Sequence, residues 1–260
     1  MKKIAKLSLM LLFMLLVMQT QAQIKRIGIK SGLNLSKGEF VNQAYGDQFN
    51  SSMKNLTGGE LMFYWESSKN DYFVTQVGLG YTGKGFKMSG DSANGRLRLH
   101  YLELPIIFKF RLPIAGPIKI MAGFGPYFDF AFAGKLVSDG STDHDIIEYG
   151  MEKSSKDNRP FNPADIGLVF SGNFEINLPQ GKNIEVGVDY NLGISKISNN
   201  STYFTGIDPI NPGLKSGVLS ITVSYLLDLS KDKKKVKKAK PDQPQIPDTQ
   251  PTQVTPTTVP

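Results

Sequence analysis

The sequence predicts an all-β fold: an eight-stranded antiparallel up-and-down transmembrane β-barrel with a disordered C-terminal tail. Three observations predict it. A period-two alternation of apolar and polar residues recurs along most of the chain. The alternating segments are long enough to cross a bilayer, and the connections between them alternate long and short. Segment 184–194 shows the alternation best, with Ile184, Val186, Val188, Tyr190, Leu192 and Ile194 interleaved with Glu185, Gly187, Asp189, Asn191 and Gly193. Successive strand side chains point to opposite faces. In a transmembrane barrel the apolar set faces lipid and the polar set faces the lumen.

Residues 1–22 read as a signal peptide. Lys2, Lys3 and Lys6 precede an apolar run from Leu7 to Met18, and Thr20-Gln21-Ala22 supplies small residues before a mature start at Gln23. The run is shorter than the ~20 residues of a spanning helix. No later apolar stretch is long enough for such a helix, so a membrane-embedded mature chain has to cross as a closed barrel, which satisfies every backbone group in lipid. The absence of cysteine excludes a lipoprotein anchor, disulfides and thiolate chemistry.

Eight strands are expected within the barrel region 23–230. The first runs from about Ile24 to Leu35, with Ile27, Ile29, Leu33 and Leu35 on its apolar face. The second, from about Thr57 to Glu66, sets Leu61, Phe63 and Trp65 against Glu60, Met62, Tyr64 and Glu66. The third, from about Tyr72 to Lys84, sets Phe73, Val77, Leu79 and Tyr81 against Gln76, Gly78, Gly80 and Thr82. The fourth, from about Leu97 to Arg111, carries Leu102, Leu104, Ile106, Phe108 and Phe110. The fifth, from about Pro117 to Ala133, carries Ile118, Ile120, Phe124, Phe128 and Phe130. The sixth, from about Ala164 to Leu178, carries Ile166, Leu168, Phe170, Phe174 and Ile176. The seventh is 184–194, and the eighth, from about Gly217 to Leu229, alternates Leu219, Ile221, Val223 and Tyr225 with Ser220, Thr222 and Ser224. Each reaches the ~9–11 residues that a tilted strand needs to cross, longer than the ~5–6 of a typical strand. Pro105 and Pro126 interrupt the fourth and fifth strands and are read as β-bulges.

Segments 36–56, 85–96, 134–163 and 197–216 are expected as long connections, and 67–71, 112–116 and 179–183 as short turns. Bacterial barrels have long extracellular loops and short periplasmic turns. Eight strands that start in the periplasm put all the long connections outside.

The net charge of +7 is localised rather than general. The signal contributes +3 and residues 231–260 contribute +4, while 23–230 balance 20 basic against 20 acidic residues. The body is neutral, and no nucleic-acid face is implied. The tail opens with Lys231, Lys233, Lys234, Lys235, Lys237, Lys238 and Lys240 and continues as a stretch rich in Pro, Thr, Gln and Asp. Such a composition cannot bury enough surface to fold. Its lysines read either as a solvated spacer or as a docking element for an acidic periplasmic or envelope partner.

The polar face of the expected barrel carries Lys30, Glu60, Glu66, Glu103, Lys109, Lys119, Asp129, Asp165, Glu175, Glu185 and Asp189. An eight-stranded barrel is just wide enough for side chains to fill, so a plugging charge network is expected. A narrow cation-preferring water path is the alternative, since acids outnumber bases in this set. Catalysis has little support. His100 and His144 are the only histidines, and no serine stands out as a partner. Asp139, Asp143, Asp145 and Glu148 lack the spacing of a calcium loop, and no cofactor motif occurs. Tyr64, Trp65, Tyr81, Tyr101, Tyr127, Tyr190 and Tyr225 are candidates for interfacial girdles, and Asp91-Ser92-Ala93 is a weak match to an O-glycosylation word.

Four words carry a family resemblance: Gly28-Ile29-Lys30-Ser31-Gly32-Leu33-Asn34, Tyr101-Leu102-Glu103-Leu104-Pro105, Gly123 to Tyr127 (GFGPY), and Val188-Asp189-Tyr190-Asn191-Leu192-Gly193. On these, residues 23–229 resemble the PorT-like outer-membrane β-barrel proteins of Bacteroidetes-type bacteria. The resemblance implies a barrel in the outer membrane of a Gram-negative bacterium, surrounded by outer-membrane lipid, and with no catalytic constellation in the sequence a non-enzymatic structural or interaction protein is expected. It also implies a proline at position 105. The family's namesake contributes to protein secretion across the outer membrane, so the resemblance adds an accessory subunit of a secretion or uptake machine as an alternative role. The tail is not part of the pattern.

Overall fold

A computed structural model of the chain describes residues 24–41, 50–68, 70–90, 93–138, 144–145, 162–197 and 213–229. The expected signal, the lysine-rich tail and Asp91-Ser92 lie outside the described residues.

The described residues form nine strands: β1 (Ile24–Phe40), β2 (Met53–Ser68), β3 (Phe73–Gly90), β4 (Ala93–Ala115), β5 (Ile118–Ser138), β6 (His144–Asp145), β7 (Ala164–Asn177), β8 (Lys182–Gly193) and β9 (Leu214–Asp228). Eight of them form the wall. All neighbours pair antiparallel in the order β4-β3-β2-β1-β9-β8-β7-β5, and β4 pairs with β5 to close the ring. The short β6 pairs only with β5, at Lys135 and Leu136. Following paired residues from Ser67 through Thr75, Phe108, Phe124, Phe170, Tyr190, Leu219 and Leu35 returns to β2 at Thr57, ten residues from the start. Ten residues of stagger at ~3.3 Å, set against eight interstrand steps of ~4.8 Å, tilt the strands by about 40°.

Local chemistry closes the three short turns. Asn70 Oδ1 accepts hydrogen bonds from the backbone N–H groups of Tyr72 (3.1 Å) and Phe73 (2.8 Å). Gly116 turns β4 into β5 with φ 56°. Between β7 and β8, Gln180 and Gly181 both take positive φ, and Leu178 N–H donates to the Lys182 carbonyl at 2.8 Å.

Two expectations are corrected. Neither proline sits at a register shift. Pro105 pairs with Tyr127 and Pro126 with Leu168, and the register is the same before and after each, although the β4 ladder skips Leu104 and Pro105 towards β3 and Ile106 and Ile107 towards β5. Pro105 is accommodated because Gly78 lies beside it, and a Cβ there would meet the proline ring at 3.1 Å. The irregularities in β4–β5 instead fall at His100/Tyr101, where Phe132 is the extra residue, and between Pro113 and Ala115, where Ile114 is. The connections at the expected outer end are also shorter than anticipated. Residues 85–96 are largely strand, with Gly90 paired to Ala93, because ladder hydrogen bonds continue beyond the apolar band.

Outward residues along the middle of the wall are apolar and exposed, among them Phe63 (61%), Phe124 (61%) and Val223 (55%). Inward positions are polar there. Towards the outer end the polarity inverts, and on β4 it does so without any change of parity. On β4, Leu97 and Leu99 point inward with Tyr101, Glu103 and Lys109, while Arg96 and Arg98 point outward with Leu102 and Phe108. Below the switch the wall is built for lipid. Above it the strands have the apolar-in, charged-out pattern of a sheet in water.

Candidate functional site

The barrel interior is where the polar chemistry concentrates. Arg26 and Arg111 enter from β1 and β4, and Glu66 and Glu175 from β2 and β7. Arg26 contacts Glu66 at 2.6 Å and Glu175 at 2.7 Å. Arg111 contacts the same two carboxylates at 3.6 and 3.3 Å. Lys119 adds a contact to Glu175 at 3.2 Å, and Lys109 bridges Glu66 at 3.2 Å and Glu185 at 3.0 Å. Arg26–Glu175 and Lys109–Glu185 join strands on opposite walls, so these side chains span the lumen. All are buried except Lys119, whose side chain is 27% exposed.

A second group sits further along the axis. Lys30 pairs with Asp189 at 2.7 Å and Glu60 at 3.3 Å, and Asp189 also accepts from Ser171 at 2.6 Å. Asn191 on β8 donates to both Glu103 oxygens on β4, at 3.2 and 3.3 Å, crossing the lumen again. Lys84 pairs with Asp129, lies 3.7 Å from Glu103, and sits over the Tyr127 ring at 4.3 Å. Asp165 accepts from Ser195 (2.6 Å), Ser216 (2.9 Å) and Tyr127 (3.3 Å). Its partners among the described residues are hydroxyls rather than cations. Buried charge is tolerable only when paired and hydrogen-bonded in this way.

Beyond these charges the interior changes character. Phe40, Met53, Phe86, Leu97, Leu99, Tyr101, Ala131, Ile197 and Leu214 form one buried apolar cluster at the outer end. The cluster draws on six wall strands and on Ile197, just beyond β8. Its position explains why the polarity inverts there: above the lipid, the inside is the only dry place for large apolar side chains.

All eleven residues expected on the polar face point inward. Three inward cations escape the sequence reading: Arg26, Lys84 and Arg111. Arg26 shares parity with Lys30, and Arg111 with Lys109, so extending each alternation by two or four residues finds them. With them the described lumen holds six cations (Arg26, Lys30, Lys84, Lys109, Arg111, Lys119) against eight carboxylates, a smaller acid excess than the eleven alone imply.

The aromatic set divides. Tyr64, Tyr101 and Tyr127 are buried in the lumen and cannot belong to a girdle, whereas Tyr81, Tyr190 and Tyr225 lie on the outward parity. His100 also faces outward. Its Nδ1 lies 2.8 Å from the Tyr81 hydroxyl, and its ring packs near Tyr81 and Phe132. No group of three or more His, Asp or Glu able to hold a metal occurs among the described residues. Asp139, Asp143 and Glu148 lie outside the described residues. His144 and Asp145 are described only as backbone, in β6.

Among solved structures, Neisserial surface protein A shares 12% identity over 78% of this chain and 97% of its own, with a TM-score of 0.42. The attachment invasion locus protein Ail of Yersinia pestis shares 12% over 79% of this chain and all of its own, with a TM-score of 0.40. The outer membrane protein OprG of Pseudomonas aeruginosa shares 11% over 79% and 97%, with a TM-score of 0.42. No curated protein sequence matches the chain. Residues 19–199, from the expected signal through β8, match the profile described as the outer membrane protein beta-barrel domain, and the chain belongs to that family.

Proposed function

We propose that the protein is a non-enzymatic structural or interaction protein of the outer membrane, whose lumen is plugged and whose work is done at its surfaces. The observation that carries this reading is the two-tier interior: cross-lumen ion pairs below and an apolar cluster above. Removing a single partner from such a network is costly, so a stable aqueous path through it is disfavoured. Voltage-clamped planar bilayers containing the purified full chain test the reading. No discrete conductance is expected, and reproducible cation-selective steps would favour the narrow channel instead.

A second reading is an accessory subunit of a secretion or uptake machine. The words Tyr101-Leu102-Glu103-Leu104-Pro105 and GFGPY favour it, through their likeness to PorT-like barrels. In that reading the signal 1–22 is removed, the barrel is inserted, and Lys231–Lys240 extend into the periplasm to meet an acidic partner. Co-purification from mildly solubilised outer membranes, comparing the full chain with one stopped after Leu229, separates the two. A defined envelope protein that follows only the full chain supports the machine, and purification alone in both forms supports the stand-alone barrel.

A further inference from the structure

The outward face of the outer rim is charged unevenly. Lys54 on β2 pairs directly with Lys87 on β3, and Lys87 pairs directly with Arg96 on β4. One step closer to the lipid-facing band, Arg98 on β4 pairs with Lys135 on β5. Lys54, Lys87, Arg96 and Arg98 are all exposed, and no carboxylate among the described residues makes a salt bridge with any of them. Like charges directly across a ladder are ~4.5–5.5 Å apart and destabilise the sheet. The next strands around the ring are different: there Glu39 on β1 pairs with Lys215 on β9, charge against opposite charge.

The position of the stripe is as specific as its sign. On β4 the outward residues run Leu104, Leu102, His100, Arg98, Arg96, passing from lipid-facing to cationic within a few strand residues. Each outward step along a strand advances ~6.6 Å. With the strands tilted by about 40°, Arg98 and Arg96 therefore stand roughly 5–10 Å higher than the His100–Tyr81–Phe132 aromatic group. That is the depth of the headgroup layer rather than of the acyl chains. Lys54, Lys87 and Arg96, with Met88, Ser89, Gly95 and Val137, line a shallow hollow of about 550 Å³.

We propose that Lys54, Lys87, Arg96 and Arg98 form a binding surface for phosphate-bearing lipid headgroups of the outer leaflet. A phosphate set between adjacent strands accepts from two cations at once, and arginine presents a planar fork suited to it. The anion relieves the cross-strand repulsion that the bare protein carries. The proposal rests on this end of the barrel facing outside, as the proposed function does.

The test uses the full chain purified in detergent and titrated with monophosphoryl lipid A, with bound lipid counted by native mass spectrometry. The comparison is with a K54Q/K87Q/R96Q/R98Q variant whose barrel is verified by its heat-dependent gel shift. Binding is expected to weaken about ten-fold or more in the variant, and to stay near the unsubstituted level in K196Q/K215Q, whose lysines lie across the ring just past β8 and on β9. Equal weakening in both variants, or none in either, overturns the proposal. So does tighter binding of a soluble sulfated polysaccharide than of the lipid, which would make the partner a free polyanion.

A single K87Q substitution keeps the test independent of the quadruple variant's folding. It is expected to raise the thermal midpoint in zwitterionic micelles, where only repulsion is removed, and to lower it when lipid A is present. The same sign in both conditions counts against a phosphate partner. Orientation is read separately. The chain has no cysteine, so S89C is a unique label site. Labelling by an impermeant maleimide on intact cells supports the outer placement. Labelling only after permeabilisation overturns both this proposal and the outward orientation, whereas loss of lipid binding on labelled-outside protein touches this proposal alone.

Discussion

Glu175→Gln is the sharpest probe of the interior. The side chain is fully buried and faces three cations, Arg26 at 2.7 Å, Lys119 at 3.2 Å and Arg111 at 3.3 Å. The substitution keeps the shape and removes the charge. Lys119 is 27% exposed and can turn towards water. Arg26 and Arg111 are only 8% and 7% exposed and cannot. Both guanidiniums are then left to share Glu66, which Lys109 also contacts. One buried positive charge loses its counterion, and breaking a buried pair in this way costs about 3–5 kcal/mol. That corresponds to roughly two to four powers of ten in the folding equilibrium. Reversible urea unfolding in lipid vesicles, followed by the emission of the single tryptophan, Trp65, gives the number. The double change Arg26→Met with Glu175→Met removes both partners and is expected to recover most of the loss, because apolar replacement of a whole pair is often neutral. A loss below about 0.5 kcal/mol for Glu175→Gln, with no recovery in the double variant, would refute the burial argument and point to a hydrated lumen.

Other outcomes follow from the same geometry. Leu97→Ala, at a fully buried site in the outer apolar cluster, should cost about 2–5 kcal/mol in the same urea titration. Val223→Arg places a charge at the middle of the outward face of β9 and should destabilise the inserted barrel by about 2–4 kcal/mol; insertion at normal stability would show that this face does not meet lipid. Gly125→Ala should abolish the heat-dependent gel shift, because its Cβ would fall on the Ile106 carbonyl, while Gly172→Ala, with open space around it, should fold normally.

Much of the wall was legible in the linear pattern. Alternation alone separates Leu219, Ile221 and Val223 from Ser220, Thr222 and Ser224, and the structure puts the first set outside and the second inside. Where the linear reading misled, residue type was followed against parity or a proline was judged without its neighbour. Pro105 looks like a bulge in one strand, but Gly78 beside it leaves room for the ring and the register is kept across the gap in the ladder. Tyr64, Tyr101 and Tyr127 look like girdle residues by type, yet their parity sends them inside, where Lys84 sits against Tyr127. Leu97 and Leu99 are apolar, yet they share parity with Glu103 and face the interior.

The sequence by itself determined that the chain is strand-built, which side chains share a face, and that the body carries no net charge. Those properties need only a two-residue repeat and a residue count. The tertiary structure decided which charges meet. Arg26 and Glu175 are 149 residues apart, and Asn191 and Glu103 are 88 apart. Each pair spans the lumen only because ten residues of stagger set their strands at the same height on facing walls. The cationic row Lys54–Lys87–Arg96 is equally invisible along the chain, since it is made by register, and register is a property of strands that have already paired.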